Sequence, residues 1–252
     1  MGELTRDNYF DSENQKKYWG SSQFKDFMKC EAGALARLRG ELEKEESKPL
    51  LQGQYLDSFF EGTKKVFERT HKVINTRGNM YADFEVVQRA YDRIAQDPEM
   101  FRLCSGIQQQ IFTGEIEGIP FKIMIDSLHP HEAIVDRKLM RSLEDMWLDG
   151  EKVPFWKYWG YDIQAYLYQT IYEQNTGEKL PFLLAVVTKE TVPDIEVFQF
   201  SDETIQEAGE KVKRLIQHFD DVKIGFEEPY ACGVCDYCKS VKKIDKERRL
   251  MI

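Results

Sequence analysis

Helices, then three strands, a helix, two strands and a last helix: that order of elements predicts an α/β protein with a mixed β-sheet flanked by helices. Two observations carry it. Apolar runs that read as strands come in two groups, IQQQIF through AIVDRK and FLLAVVTKE through IEVFQF. Helical spacing of apolar residues fills the stretches before, between and after those groups. The 252 residues are 42% hydrophobic and 31% charged, an ordinary globular composition, and no apolar run reaches the length of a bilayer crossing. The polar opening MGELTRDNYFDSENQKKYWG lacks an apolar signal core, so a cytoplasmic protein without membrane contact is expected.

Residues 1–20 read as irregular. Ser21 and Ser22 offer N-caps for a helix from about Gln23, on which Phe24, Phe27, Met28, Ala34, Leu35 and Leu38 recur at helical spacing. A second helix is read in LLQGQYLDSFFEGTKKVFER. Gly53 within it suggests close approach of another backbone, and Asp57 either faces solvent or serves a site. ADFEVVQRAYDRIAQDPEMFRLC reads as an amphipathic helix closed at Asp97-Pro98 with a short continuation, and Cys104 as a packed thiol. Two strands then meet around Gly114–Gly118, with Glu115 as a secondary site candidate. After Lys138, LMRSLEDMWLDGEKVPFWKYWG reads as a loop with a short helix. Its aromatics, Trp147 among them, are either core or stacking surfaces for bases. YDIQAYLYQTIYEQNTG is a helix stopped by Gly177, and Tyr161, Gln164, Tyr168 and Ile171 share one face. A helix over about 201–219 follows the last two strands.

The chemistry-bearing stretch is Ile119–Lys138. Asp126 and Asp136 each end an apolar run, and side-chain alternation puts Asp136 and Lys138 on one face of their strand. A hairpin through SLHPHE brings Asp126 to the same place. Two carboxylates with the main-chain carbonyl of Arg137 form a hard oxygen set suited to Mg²⁺ or Mn²⁺. Lys138 beside them can orient or deprotonate a water and counter charge on a phosphoryl group, and Gln164 can hydrogen-bond a phosphate or a water. That is the equipment of phosphodiester hydrolysis. A salt bridge between Lys138 and an aspartate is the structural alternative.

The net charge of −9 disfavours a general nucleic-acid binder but not an enzyme with a local basic groove. Basic residues gather at Lys64, Lys65, Arg69, Lys72 and Arg77, and from Lys239 to Arg249, where a solvated tail is the simpler reading. Among the five cysteines, Cys232, Cys235 and Cys238 are spaced closely enough to suggest a metal site over a disulfide framework.

Asp126, Asp136-Arg137-Lys138, the upstream Gly53–Asp57 stretch and the downstream Tyr161–Ala165 stretch with Tyr168 together resemble the PD-(D/E)XK nuclease superfamily. The branch is that of RecB- and RecE-like phage or prophage exonucleases, and the resemblance covers nearly the whole chain. It implies a restriction-endonuclease-like core, with Asp126 and Asp136 on metal, Lys138 catalytic and Gln164 positioning the scissile phosphate or water. Asp57 stands where that branch has a metal-binding histidine. Some relatives carry one cysteine before the core and three after it around a [4Fe–4S] cluster. That resemblance makes Cys30 the fourth ligand with Cys232, Cys235 and Cys238, and ranks iron–sulfur ahead of zinc.

The resemblance further implies one nuclease domain over 1–252: a helical part over 1–110, a catalytic core over 111–220 and a Cys-rich tail over 221–252 packing back on the first helix. The implied activity is exonucleolytic cleavage of linear double-stranded DNA, 5′ to 3′, for recombination. A single-strand annealing protein and a homo-oligomer are the implied partners. The alternatives are an endonuclease or spacer-processing enzyme with the same cysteine cluster, and an inactive DNA-binding module.

Overall fold

The computed structural model describes residues 4–42, 47–148 and 150–244. Lys246, Arg248 and Arg249 of the basic C-terminal run lie outside them. In chain order the elements are α1 (Ser12–Lys17), α2 (Ser21–Lys29), α3 (Glu31–Leu38), α4 (Lys48–Phe60), α5 (Lys64–Thr70), α6 (Ala82–Ala95) and α7 (Pro98–Cys104). Then come β1 (Ile107–Ile116), β2 (Ile119–His129), β3 (Ala133–Met140), β4 (Met146–Leu148), β5 (Glu151–Val153), α8 (Phe155–Tyr158) and α9 (Tyr161–Thr176). The chain closes with β6 (Phe182–Thr188), β7 (Ile195–Gln199), α10 (Asp202–Ile224) and α11 (Asp236–Ser240). Among the described residues no helix is long and apolar enough to cross a membrane.

The sheet is mixed and flanked by helices, as the pattern predicts. Its strand order is β1-β2-β3-β6-β7, with β3 and β6 parallel and the β2–β3 and β6–β7 pairs antiparallel. Glu117 and Gly118, with φ of 53° and 76°, make the two-residue turn between β1 and β2 that the right-handed strand twist favours.

The chain divides into two compact units: Met1–Lys44 with Glu115–Phe121 and Val212–Ile252, and Glu45–Gly114 with Lys122–Lys211. In the second, Tyr55, Leu56, Val87 and Ile94 from α4 and α6 join Ala133, Val135, Ala185 and Val187 in one core. Because strand side chains alternate, Asp136 and Lys138 point to the other face, where α9 lies and the Tyr168 ring meets Phe182 edge-on at 5.8 Å. Gly106 allows a close approach: a Cβ there would stand 2.6 Å from the Leu128 carbonyl oxygen. In the first unit, Trp19, Phe24, Phe27 and Phe219 form an aromatic core, and the Trp19 indole donates to Asp220 at 2.8 Å.

Several expected elements differ. Residues 1–20 include the short helix α1, and the 201–219 helix runs on to Ile224. The helix expected through Cys30 breaks there into α2 and α3, because Cys30 is extended at φ −167°, ψ 107° and turns its sulfur toward the other cysteines. Gly20, not a serine, is the N-cap of α2. The helix expected from Leu50 to Arg69 is two helices, parted at Gly62 with φ 71°. Nothing lies within 4 Å of a Cβ at Gly53, so no backbone approaches it. After Lys138 a hairpin, β4–β5, precedes the short helix. Trp147 is exposed on it, whereas Phe155 of α8 is core.

Candidate active site

The β2–β3 ladder joins Ser127 to Val135, Leu128 to Ile134 and His129 to Ala133. The next rung of that register would join Asp126 to Asp136, and there the ladder ends. Arg137 N–H, no longer needed by a neighbouring strand, donates to Asp126 Oδ2 at 3.1 Å. The fork between the strands thus leaves two carboxylates side by side. Asp136 is 2% exposed. Gln164 Nε2 from α9 donates to its Oδ1 at 2.7 Å, and the Lys138 ammonium pairs with its Oδ2. Lys138 Nζ also reaches the Arg137 carbonyl at 3.4 Å and lies 5.5 Å from the Tyr161 ring centroid. Tyr168 donates to the Met124 carbonyl at 3.0 Å, tying α9 to β2.

Asp57 enters from α4. Its Oδ1 accepts from Arg137 Nε at 3.2 Å. The guanidinium is a hub: Nη1 donates to the Cys104 carbonyl and to Gln108 Oε1, both at 2.7 Å, and its carbon sits 4.8 Å from the Phe60 centroid. The sequence motif singles out only the carbonyl of Arg137 and gives no role to this side chain. The available signal was an arginine on a strand face whose neighbours, Ala133 and Val135, are core.

The electrostatics follow from this crowding. Burial, then the nearby Asp126 charge, pushes the Asp57 carboxyl up to about 7 against the pull of Arg137. Burial alone would lower Lys138, but Asp136 and Asp126 more than offset it and hold the ammonium above its ordinary range. Burial raises the Tyr161 phenol to about 12. Asp57, Asp126, Asp136, Lys138, Gln164, Tyr161 and the Arg137 carbonyl therefore form one neighbourhood. Glu115 is exposed on β1 beside the hairpin turn and belongs to the other unit.

A second cluster lies in the first unit. The sulfurs of Cys30, Cys232, Cys235 and Cys238 all lie within 4.8 Å of one another, and none is in a disulfide. Cys30 is 3.5 Å from Cys238 and 3.7 Å from Cys235, and Cys232 is 3.9 Å from Cys238. Backbone N–H groups point at the sulfurs: Gly33 to Cys30 at 3.4 Å, Cys235 to Cys232 at 3.3 Å and Cys238 to Cys235 at 3.5 Å. Donors from Val234 and Cys235 bring the Cys232 thiol down to about 6. A Cβ at position 33 would stand 3.4 and 3.5 Å from the Cys235 and Cys30 sulfurs, in ordinary van der Waals contact, so this position lines the cradle directly. Four such sulfurs can hold zinc or an iron–sulfur cluster. Beside them His218 bridges Glu31 at 3.0 Å and Glu227 at 2.5 Å, and Glu31 accepts from Tyr230 N at 2.8 Å.

A mixed sheet that forks between two carboxylates, with a lysine two residues beyond the second, defines the PDDEXK class of fold and site. Residues 20–241 match the model of a PDDEXK-like domain of unknown function (DUF3799), and the chain belongs to that family. It is similar to the crystal structure of a "Putative exonuclease" from Eubacterium rectale: TM-score 0.92 and 38% identity over 98% of this chain and 96% of that one. A structure of SSO0001 aligns at TM-score 0.30 and 12% identity over 75% of this chain and 85% of that one, too distant to inform the site. No curated protein matches the sequence.

Proposed function

We propose that this protein is a Mg²⁺- or Mn²⁺-dependent deoxyribonuclease that degrades one strand of linear duplex DNA from its ends, 5′ to 3′, to prepare single strands for recombination. The observation that carries the reading is the meeting of Asp126, Asp136, Lys138 and Gln164 where the β2–β3 ladder ends. The oxygen-only donor set and the raised Asp57 carboxyl fit a divalent cation, since crowded carboxylates gain most from one. Asp126, Asp136 and the Arg137 carbonyl would hold it, with Asp57 as an additional ligand. Bound there, the cation supplies charge neutralisation at the scissile phosphate.

The chain's own groups supply the rest. Gln164 fixes the Asp136 carboxylate, so that its second oxygen keeps one direction. Lys138, held as an ammonium by its two carboxylates, counters charge on the phosphoryl oxygens and does not take a proton. The Tyr161 ring walls the Lys138 side, and Tyr168 keeps α9, and with it Gln164, in register with β2. Assembly into a homo-oligomer and action beside a single-strand annealing protein belong to the same reading, as does one nuclease domain spanning the two units.

For the four cysteines the spacing supports zinc over [4Fe–4S], reversing the order that the resemblance implies. Four thiolates about 2.3 Å from one zinc ion stand about 3.8 Å apart in a tetrahedron. Three of the separations here, 3.5, 3.7 and 3.9 Å, bracket that value. In an iron–sulfur cube each thiolate binds a different iron, which spreads the sulfurs further. Colourless purified protein with one zinc per chain supports this, and absorbance near 400 nm after anaerobic purification overturns it.

The nuclease reading is tested by digestion of linear duplex in Mg²⁺ with Asp136→Ala and Lys138→Ala. Loss of at least about 100-fold in each is expected, the scale of removing one transition-state charge partner. Parent-like rates in both variants would refute the site.

A further inference from the structure

The net charge of −9 is unevenly distributed. Between Gly62 and Tyr81 there are five lysines and arginines and one carboxylate, Glu68. Two of these six charges are committed within the fold. Lys64 donates to Gln88 at 2.9 Å and lies 4.1 Å from the Phe59 ring centroid, and Glu68 accepts from the Tyr55 hydroxyl at 2.9 Å. Asp83, just beyond the segment, is taken by Lys48 at 2.8 Å. The other four cations, Lys65 and Arg69 on α5 and Lys72 and Arg77 after it, are exposed, and none makes an ion pair among the described residues. Arg77 is held on a closed loop. Asn75 Oδ1 accepts from the N–H groups of Arg77 at 2.9 Å and Asn79 at 3.1 Å, and Gly78 takes the φ of 82° that closes it.

Four exposed cations without ion pairs, within a short segment of an otherwise acidic chain, suit a polyanion. Their place in the chain narrows the choice. α4 carries Asp57 and ends at Phe60, and α5 starts four residues later. Five helical rises from Asp57 to Gly62 and three extended residues to Lys65 place the Lys65 Cα within about 20 Å of Asp57. At 3.4 Å per base pair that is roughly six pairs of duplex. We propose that α5 and the loop after it bind the phosphate backbone of the DNA duplex through Lys65, Arg69, Lys72 and Arg77, a few base pairs from the candidate active site. The proposal rests on the deoxyribonuclease reading for its substrate, and names where that substrate is held.

Counterion release gives the magnitude. Each phosphate neutralised contributes about 0.9 to the slope of log K against log salt, so four contacts contribute about 3.6. The test is fluorescence anisotropy of a labelled 20-base-pair duplex, titrated with the full chain across a salt series in Ca²⁺ without Mg²⁺ or Mn²⁺. Lys72→Gln with Arg77→Gln is expected to lower the slope by about 1.8, with the melting temperature unchanged because both side chains are exposed. A slope equal to the parent's overturns the proposal. Digestion in Mg²⁺ by the same preparations separates the two readings. If the parent digests DNA and the slope is unchanged, the backbone surface fails alone. If neither digests but the slope falls, the surface stands and the nuclease reading fails.

Discussion

Replacing Arg137 by methionine tests whether the candidate site is held together by the buried guanidinium. The substitution keeps much of the apolar stem and removes three hydrogen bonds, to Asp57 at 3.2 Å and to the Cys104 carbonyl and Gln108 at 2.7 Å. Removing one partner of a buried ion pair costs about 3–5 kcal/mol. The lower end applies here, because the Asp57 side chain is 31% exposed and water can reach it once the arginine is gone. For a unit of about 160 residues, a loss of about 3 kcal/mol lowers the melting temperature by roughly 6–12 °C. Calorimetry of the full chain reads this directly. Arg137→Lys should recover only part of the loss, since an ammonium cannot serve three acceptors in a plane. A melting temperature within 2 °C of the parent for Arg137→Met would show that the hub contributes little, and the reasoning would fail.

Glycine substitutions give opposite signs at two positions. Gly53→Ala fills open space inside α4 and should stabilise by up to about 1 kcal/mol, whereas Gly106→Ala drives a Cβ into the Leu128 carbonyl and should cost about 1–3 kcal/mol; urea midpoints check both. His218 is a pH sensor for the first unit. Burial lowers its pKa, but Glu227 and Glu31 outweigh that and leave it above 6.5. Its stabilising contribution is therefore complete below the unfolded value near 6.5 and is lost as pH rises through the higher folded value. His218→Gln should flatten the stability profile in that window, and an unaltered profile would contradict the bridge. For the four cysteines, chelation of the metal-loaded protein should cost about 4 kcal/mol at a metal concentration a thousandfold above Kd, and Cys235→Ser should abolish the metal dependence of melting.

Much of the fold was legible because its signals are local. The apolar runs gave the strands, and Gly177 closes α9 at φ 74° as a left-handed glycine should. Strand alternation and the hairpin likewise set Asp126, Asp136 and Lys138 together, whereas Gln164 joins them only through the order of motifs in the family resemblance. What was hidden depends on contacts far apart in sequence. The break at Cys30 exists because its sulfur meets residues some 200 positions away, so the apolar spacing runs unbroken through it. Arg137 gives no sign that its guanidinium binds Asp57, 80 residues earlier. At Gly53 a general expectation about helix glycines met open space.

The central claim is end-dependent hydrolysis of duplex DNA at the Asp126–Asp136 fork. Its most direct measurement is digestion in Mg²⁺ of a linear duplex labelled at each 5′ end, beside the same sequence as a covalently closed circle. The prediction is release of labelled 5′ nucleotides from both ends of the linear form, survival of the 3′ part of each strand as single strand, and no loss of the circle. Equal attack on the circle, or no release of label from the linear duplex, would contradict it.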